Sequence, residues 1–402
     1  MTSRSLKIAM LLEIPFPPDA RVEKEACALV RAGHEVHVLA VTFSGEETPV
    51  FRDEIHIHRL PVREYWFKKW RASVLRFPAY GRIWMRYFIR LHEMHHFDII
   101  HIHDLPLAKT GYRLACRYGI PWVLDLHENY PAFLESAGLT RGPAGRFFFH
   151  PGMWRRYEHW SASRADRVIL VVREARQRFR EAGMDMSRFS VVSNTVRPEL
   201  FQPGKSSVHT DHPLTLLYLG GFNPHRGLET TIRAMPVLLQ SIPDARLVLV
   251  GDGRIRPSLE ALAEEQGVKR AVEFRGSVPF HQVREMIAES DVCLVPHEST
   301  EHTNTTIPHK LFQYMAMGKA VLVSDCLPLK RIVTDTGAGS VFHAGDPVSL
   351  AGTAVRMSDP EVRRQYGKRG QSAVRKTYHW DRDARELTGI YQRLSEKMVR
   401  TR

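Results

Sequence analysis

One segment in the second half of the chain, residues 304–325, joins a polar turn, a short helix and a buried strand, and it carries side chains that can bind an anion. Thr305 and Thr306 are expected to cap the helix. Lys310 and Gln313 then share one helix face near its N-terminus, where free backbone N–H groups and the helix dipole favour a phosphate. Taken alone, the segment is equally typical of an ordinary capped helix with a surface lysine.

A second segment of the same design lies upstream, where the apolar run 214–219 ends at Gly220 and Gly221 and an amphipathic helix over 228–240 follows. Glycines allow the backbone to approach a ligand closely, and Arg226 stands where its guanidinium can donate two parallel hydrogen bonds to a phosphate. The spacing is neither the dinucleotide fingerprint, Gly-x-Gly-x-x-Gly, nor the P-loop. A diphosphate ligand accounts for both segments at once.

The region 214–325 resembles the donor-binding domain of the GT-B glycosyltransferases, and specifically that of glycosyltransferase family 4. In that family a glycine-rich loop with an arginine and a lysine, together with a later helix, holds the diphosphate of a nucleotide sugar. Gly220 and Gly227 match the glycines of the loop, Arg226 replaces its lysine, and Gly221 stands where its arginine usually is.

The later helix resembles a variant within the family. Thr305 and Gln313 occupy the places of two glutamates that the family commonly carries eight positions apart. The chain follows instead the variant Asn-x-x-x-Pro-x-Lys-x-Phe-Gln-Tyr-Met, in which Asn304 and Lys310 fit. The resemblance implies catalytic roles for Arg226 and Lys310. It also implies that donor-binding residues are Gly220, Gly221, Gly227, Asn304, Thr305, Thr306 and Gln313.

The first half predicts a β-α-β opening, with a strand over 7–13, a helix that starts at 19–26 and a strand over 35–41. The same alternation continues, with further strands predicted at 98–103, 121–127 and 168–172. This pattern favours a doubly wound α/β sheet whose ligands bind at the carboxyl ends of the strands.

By resemblance the fold is α/β with two Rossmann-like doubly wound domains facing a cleft, and its C-terminal helices cross back to the first domain. The chain is long enough for two cores of ordinary size. We expect an N-terminal acceptor-side domain over 1–196, a proline-rich linker over 197–213, a nucleotide-sugar-binding domain over 214–375 and a returning helix over 376–402.

His127 ends a predicted strand, and by resemblance it faces the donor sugar and contributes to catalysis. A hydrogen-bonded histidine at a strand end is the simpler alternative. A rival interpretation uses His101, His103 and Asp104, which with Asp125 and His127 could hold a divalent metal for hydrolysis. No other metal-binding motif accompanies them, so neither a metal nor another cofactor is expected.

The sequence is least specific about the residues that would bind the acceptor. Residues 17–21, Pro-Pro-Asp-Ala-Arg, replace the double glycine that the family often has after its first strand. Asp19 and Arg21 are therefore assigned to the acceptor side, and the sequence does not name the acceptor.

The net charge of +13 is concentrated in residues 62–90, which hold eight Lys or Arg residues, one Glu and nine aromatic residues. Basic side chains interleaved with Trp and Tyr favour an anionic membrane surface. The alternative is that the aromatic residues are core and the charges are solvated. No nucleic-acid recognition motif appears. The residues expected to face the membrane are Trp66, Lys68, Lys69, Trp70 and Arg71.

Four widely spaced cysteines indicate no disulfide framework, and no apolar run reaches the ~18 residues of a spanning helix. We therefore expect a cytoplasmic, peripheral protein. The family resemblance implies that it is a retaining and metal-independent glycosyltransferase of cell-envelope polysaccharide synthesis. Its partners would be a nucleotide diphosphate sugar and a glycan or polyprenol-linked glycolipid. A non-hydrolysing nucleotide-sugar epimerase and a metal-dependent hydrolase remain alternatives.

Overall fold

The computed structural model describes residues 4–45, 50–67, 74–202 and 213–400 of the chain. Residues 203–212 of the predicted linker lie outside these ranges, as do four predicted membrane-facing residues, namely Lys68, Lys69, Trp70 and Arg71. The chain folds as two compact units. Met1–Ser193 and Asp383–Arg402 form the first, and Asn194–Arg382 form the second.

The first unit is built on one eight-stranded sheet. Its strands are, in chain order, β1 (Lys7–Pro15), β2 (Glu35–Thr42), β3 (Val50–Arg52), β4 (Ile55–Pro61), β5 (Ile99–His103), β6 (Trp122–Leu126), β7 (Arg167–Leu170) and β8 (Phe189–Val191). The spatial order is β3-β4-β2-β1-β5-β6-β7-β8, and among these pairs only β3 and β4 are antiparallel. The helices are α1 (Ala20–Arg31), α2 (Ala79–His95), α3 (Ala108–Tyr118), α4 (Tyr130–Ser136), α5 (Gly142–Phe148), α6 (Pro151–Ala162) and α7 (Arg176–Glu181).

The second unit is built on a six-stranded parallel sheet. Its strands are β9 (Thr215–Leu219), β10 (Arg246–Val250), β11 (Val272–Gly276), β12 (Val292–Val295), β13 (Ala320–Ser324) and β14 (Gly339–Phe342). They lie in the order β11-β10-β9-β12-β13-β14. The helices that follow are α8 (Leu228–Ser241), α9 (Arg256–Glu265), α10 (Phe280–Glu289), α11 (His309–Ala316), α12 (Leu327–Thr336), α13 (Pro347–Arg356), α14 (Pro360–Lys376) and α15 (Trp380–Arg400).

The strand order decides where ligands can bind in each unit. In the second sheet the chain runs outward from β9 to β10 and β11, and it then returns to the other side of β9 with β12. The loops after β9 and β12 therefore flank the point at which the order reverses, which is the usual ligand crevice of a doubly wound sheet. The first sheet reverses in the same way between β1 and β5.

Local sequence explains why these elements form. Strands β12 and β13 are buried along their whole length, as expected of parallel strands covered by helices on both faces. Aspartates cap several helices, because a carboxylate accepts hydrogen bonds from the free N–H groups of the first turn. Asp19 caps α1, Asp346 caps α13 and Asp359 caps α14.

The predicted fold class is confirmed, since both units are α/β with doubly wound sheets. The predicted β-α-β opening corresponds to β1, α1 and β2. The tail forms two helices, α14 and α15, and the backbone N–H of the buried Trp380 donates to the carbonyl oxygen of Val196 over 2.8 Å. In the described ranges no helix combines the length and the apolar character that crossing a bilayer requires.

Candidate active site

The glycine turn after β9 is held against the end of β10 by backbone contacts. The Gly220 N–H donates to the carbonyl oxygen of Val250, and the Phe222 N–H donates to that of Asp252, both over 2.9 Å. A Cβ atom on Gly251 would lie 2.0 Å from the Gly220 carbonyl oxygen, so no larger residue fits there. The turn is thus fixed in place by its neighbour.

Gly227 fixes the other end of this turn. Its φ of +66° is in the left-handed region, and a Cβ atom would lie 1.7 Å from the carbonyl oxygen of Pro296. The Glu298 N–H donates to the His225 carbonyl oxygen over 3.1 Å. The loops after β9 and β12 therefore pack directly on each other, and this contact sets the position of Arg226.

Arg226 ends a short 3₁₀ turn, Pro224–Arg226, just before the N-terminus of α8. Its Nη1 lies 3.0 Å from Nε2 of His297, which is buried at the end of β12. Burial lowers the pKa of His297 well below its usual range, and the charges of Arg226 and Lys310 lower it further. His297 is therefore neutral and accepts the hydrogen bond, which orients the guanidinium.

Lys310 lies in the first turn of α11, with its Nζ atom buried and without a hydrogen-bond partner in the described part of the chain. The Nζ atom is 3.6 Å from the centre of the Tyr218 ring, and a Cβ atom on Gly220 would lie 3.0 Å from it. Burial lowers the pKa of Lys310 well below its usual range, and Arg226 lowers it further. An anion bound between Lys310 and Arg226 would raise the pKa of Lys310 again and so offset both contributions.

Two further histidines, His225 and His302, lie buried beside Arg226, with ring centroids 5.2 Å apart. Burial, followed by the nearby Arg226 charge, lowers the pKa of His225 to about 4. Burial likewise lowers the pKa of His302 to about 3, with smaller contributions from His225 and Arg226. Sequence reasoning missed these two residues and His297. All three follow β9 or β12 in the sequence, and this position at the ends of the two central strands is the signal that could have identified them.

The turn before α11 differs from its prediction. The helix begins at His309 with Pro308 at the N-cap position and no side-chain cap, so the expected capping by Thr305 and Thr306 is wrong. The residue before a proline is pushed to extended conformations, which prevents an earlier start. The Thr305 hydroxyl donates instead to the Glu301 carbonyl oxygen over 2.7 Å.

Asn304 makes two side-chain hydrogen bonds that hold this turn in place. Its side-chain Nδ2 donates to the hydroxyl of Ser299 over 3.1 Å, and its Oδ1 accepts from the Leu327 N–H over 2.8 Å. The second bond satisfies a free N–H at the start of α12. Gln313 is half-buried on α11, one turn after Lys310.

The first unit holds a buried ionic cluster around Asp125. The Nη2 atom of Arg21 is 2.9 Å from Asp125 Oδ1, its Nε is 3.2 Å from Oδ2, and its Nη1 donates to the Val192 carbonyl oxygen over 3.0 Å. Burial would raise the pKa of Asp125, but Arg21 and His127 lower it well below its usual range. Arg21 also lies 3.0 Å from Glu25, yet burial raises the pKa of Glu25. The ion pair in this cluster is therefore the one between Arg21 and the ionised Asp125.

His127 directly follows β6 and belongs to the same cluster. Its Nε2 lies 2.9 Å from Asp125 Oδ2, and its Nδ1 lies 3.6 Å from Asp104 Oδ2. Burial lowers the pKa of His127, but Asp104 and Asp125 outweigh burial and raise the pKa to about 10. The imidazole is therefore charged at neutral pH and can donate from either nitrogen.

A metal fits this cluster poorly. Ligand atoms of Glu25, His101, His103 and Asp125 lie within 4.8 Å of one another, and their types suit a divalent ion. However, the Arg21 guanidinium already contacts both carboxylates, and a second cation there would be repelled. His101 Nδ1 is also within 2.6 Å of the Tyr391 hydroxyl.

The two residues assigned to the acceptor side have in-chain partners. Asp19 accepts from the N–H groups of Arg21 and Val22, and Arg21 is buried in the cluster just described. Both residues therefore position α1. Their assignment to the acceptor side stays a prediction.

The basic aromatic segment, residues 62–90, has a buried part and an exposed part. Tyr80, Trp84 and Phe88 are buried on one face of α2, so for this part the core interpretation holds. Trp66 is 45% exposed and stacks edge-on with Tyr65, which is 63% exposed. We use the name aromatic patch for the exposed residues Tyr65, Trp66, Phe77 and Phe147 with Arg76, which lies over the Phe147 ring.

Two family models match the chain. The first, described as "Glycosyl transferase 4-like domain", matches residues 18–195. The second, described as "Glycosyl transferases group 1", matches residues 213–359. Together they cover every strand of the two sheets except β1.

Individual proteins give similar matches. The chain is 27% identical over 365 residues to a D-inositol 3-phosphate glycosyltransferase of Acidothermus cellulolyticus, a match that covers 87% of this chain and 75% of the relative. Sucrose-phosphate synthase from Thermosynechococcus elongatus has a similar structure, with a TM-score of 0.81 at 19% identity over 97% of this chain and 99% of that one. Anabaena HepE in complex with UDP-glucose superposes with a TM-score of 0.70 at 15% identity, over 98% and 99% of the two chains.

Proposed function

Because the chain belongs to the GT-B glycosyltransferases of family 4 and uses a nucleotide sugar, we propose that it transfers the sugar with retention, without a metal, to a glycan or lipid-linked acceptor at a membrane surface. The observation that carries the proposal is the buried Lys310 ammonium, which has no hydrogen-bond partner in the described ranges and lies next to the glycine turn. A diphosphate would supply that partner.

The diphosphate is also the leaving group of the proposed reaction. Negative charge grows on it as the bond between the sugar C1 and the phosphate oxygen breaks. Arg226, Lys310 and the N-termini of α8 and α11 would stabilise that charge from fixed positions, which is usually the largest contribution to catalysis. In this proposal these groups would neutralise the charge in place of the dication that many phosphate sites use.

Retention follows in this proposal from attack on the same face that the diphosphate leaves. The acceptor oxygen bonds to C1 as the C1–phosphate bond breaks, and the acceptor proton passes to a phosphate oxygen. The charged His127 would donate a hydrogen bond to a sugar hydroxyl and thereby orient the ring.

The aromatic patch supports action at a membrane. Large exposed aromatic side chains beside arginines are typical of surfaces that settle at the lipid headgroup level. The basic residues that follow Trp66 in the sequence, Lys68, Lys69 and Arg71, would add attraction to anionic lipid. An acceptor carried on a lipid would then be presented to the enzyme at this surface.

A donor screen tests the proposal directly. Thermal unfolding is measured with a panel of nucleotide diphosphate sugars, starting with UDP-glucose. A donor at 100 times its dissociation constant should stabilise the protein by ~2.7 kcal/mol. With the selected donor and a lipid-linked acceptor, product formation should persist in a chelator, and NMR should show the anomeric configuration of the donor retained. Donor conversion without acceptor, or an inverted product, would contradict the proposed reaction.

A further inference from the structure

Three histidines of the first unit converge from three separate elements. His37 lies on β2, His58 lies on β4, and His95 ends α2. One ring nitrogen of each lies within 4.8 Å of the corresponding atoms of the other two. The ring centroids of His37 and His95 are 4.5 Å apart, and those of His58 and His95 are 5.2 Å apart. Three imidazole nitrogens at this spacing can bind one transition-metal ion.

A carboxylate orients the central ligand. Nε2 of His37 lies 2.8 Å from Oε1 of Glu35, so this nitrogen carries the proton and donates it to the carboxylate. The lone pair of His37 is then on Nδ1, which accepts a hydrogen bond from Nε2–H of His58 over 2.9 Å. A metal ion would take the place of that proton, and the His58 proton would move to Nδ1. A carboxylate on the far nitrogen of a ligand histidine is the usual second contact of metal sites, because it fixes the tautomer and raises ligand basicity.

The ionisation of the cluster suits metal binding. Burial, only partly offset by Glu35, lowers the pKa of His37 to about 4. Burial and the neighbouring histidines lower the pKa of His58 to about 3, and burial also lowers that of His95. All three rings are therefore neutral at pH 7, and neutral imidazole is the form that binds a metal. His37 and His58 are buried and His95 is half-buried, which leaves an approach from the α2 side.

The cluster is separate from the one around His127. In the parallel register His37 is opposite Ala9, whereas His101 is opposite Met10. Consecutive residues of a strand point to opposite faces, so His37 and His101 lie on opposite faces of the eight-stranded sheet. The charges of Arg90 and Lys7 also act on this cluster, since they lower the pKa of His58 and of His95 respectively.

We propose that His37, His58 and His95 bind one divalent transition-metal ion of the Zn²⁺ type, with Glu35 orienting His37 and the remaining coordination position open to water. The ion would join the end of α2 to β2 and β4. Its role is to stabilise the first unit, and the proposed sugar transfer does not pass through it.

Cobalt binding tests the site in the full-length protein. After treatment with a chelator and its removal, Co²⁺ is titrated and the visible absorption of the bound ion is recorded, followed by displacement with Zn²⁺. We expect one equivalent to bind and to raise the thermal unfolding temperature. Loss of an orienting partner alone costs about 10–100-fold in metal affinity, so His95→Ala should lose at least about 100-fold.

His58→Gln gives an independent second variant, and His281→Gln, an exposed histidine of α10, gives the matched control that should bind Co²⁺ like the wild type. His95 is half-buried, so its alanine variant decides the matter even where His58→Gln does not fold. The proposal is overturned if the wild type binds no Co²⁺, if His95→Ala retains wild-type affinity, or if His281→Gln loses as much as His95→Ala. Protection by the nucleotide sugar is measured in parallel, and it should be the same in His95→Ala and wild type, so this result is distinguishable from failure of the proposed function.

Discussion

Lys310 Nζ lies 3.6 Å from the centre of the Tyr218 ring and, in the part of the chain that the structure describes, has no hydrogen-bond acceptor. A ring face attracts a cation, but it does not replace the hydrogen bonds that an ammonium makes in water. We therefore propose that the side chain is arranged for a ligand and that the same ligand contacts Arg226.

Removing either cation should impair turnover more than it impairs folding. For Arg226→Ala and for Lys310→Ala we expect a loss of ~3–4 kcal/mol in transition-state stabilisation, because each removes one fixed donor to the leaving group. Nucleoside diphosphate affinity should fall as well, as measured by calorimetry beside steady-state turnover. Because the two cations share one ligand, the double variant should lose less than the sum of the single losses.

Exposed residues of the same unit provide the controls for these variants. Arg233→Ala on α8 and Lys330→Ala on α12 remove the same charges from the surface and should leave both measurements unchanged. Wild-type diphosphate affinity in both Arg226→Ala and Lys310→Ala would falsify the diphosphate site.

Gly227 should be far less tolerant of alanine than Gly267. Both have similar left-handed φ angles, +66° and +68°, so both substitutions incur the ~1–2 kcal/mol strain of that conformation. Only at Gly227 would the added Cβ atom meet backbone, 1.7 Å from the Pro296 carbonyl oxygen, whereas nothing lies within 4 Å at Gly267. Urea unfolding should show the larger loss for Gly227→Ala, together with weaker protection by the donor. Equal losses in the two variants would mean that the contact with Pro296 does not matter.

The charge on His127 should appear in the pH dependence of stability. Its folded-state pKa, about 10, is above the ordinary value of 6.5, so its contribution is complete below about pH 6.5 and is lost as the pH rises through 10. The difference in unfolding free energy between wild type and His127→Gln should therefore shrink across this interval. A difference that stays constant from pH 6.5 to 10 would show that His127 is not charged in the folded protein.

Charge reversal near the aromatic patch should weaken membrane binding. The triple variant Lys68→Glu, Lys69→Glu and Arg71→Glu is expected to bind anionic vesicles less tightly, by ~1 kcal/mol for each lost attraction. Binding of the donor should not change. Sedimentation with phosphatidylserine vesicles at two salt concentrations measures the effect.

A triple variant on the second unit has the same change in charge. Lys368, Arg375 and Lys376 are exposed on α14, and their replacement by glutamate should affect vesicle binding much less. Equal effects of the two triple variants would mean that only net charge matters.

Local patterns were sufficient to predict the fold class and the position of Arg226 and Lys310 beside helix starts. Alternating strands and helices leave a clear signal, and Arg226 and Lys310 each stand beside a helix start in the sequence itself. The core face of α2 was also available, since Tyr80, Trp84 and Phe88 recur at helical spacing.

Contacts between distant residues could not be predicted in this way. From the sequence, Arg21 is assigned to the acceptor side, and its buried partner Asp125 is 104 positions away. His297 approaches Arg226 only because β12 returns to the side of β9, which is a property of strand order. Periodicity assigns elements to a chain, but it does not say which loops will meet.

The solitary ammonium of Lys310 also links donor binding to proton uptake. In the empty site burial lowers the lysine pKa and so favours the neutral amine more than in an exposed lysine. A bound diphosphate would raise the pKa again, and proton uptake would then accompany binding of the ligand. The heat of binding should then vary with the ionisation enthalpy of the buffer, and the donor should bind less tightly in alkaline solution, where that proton is scarce.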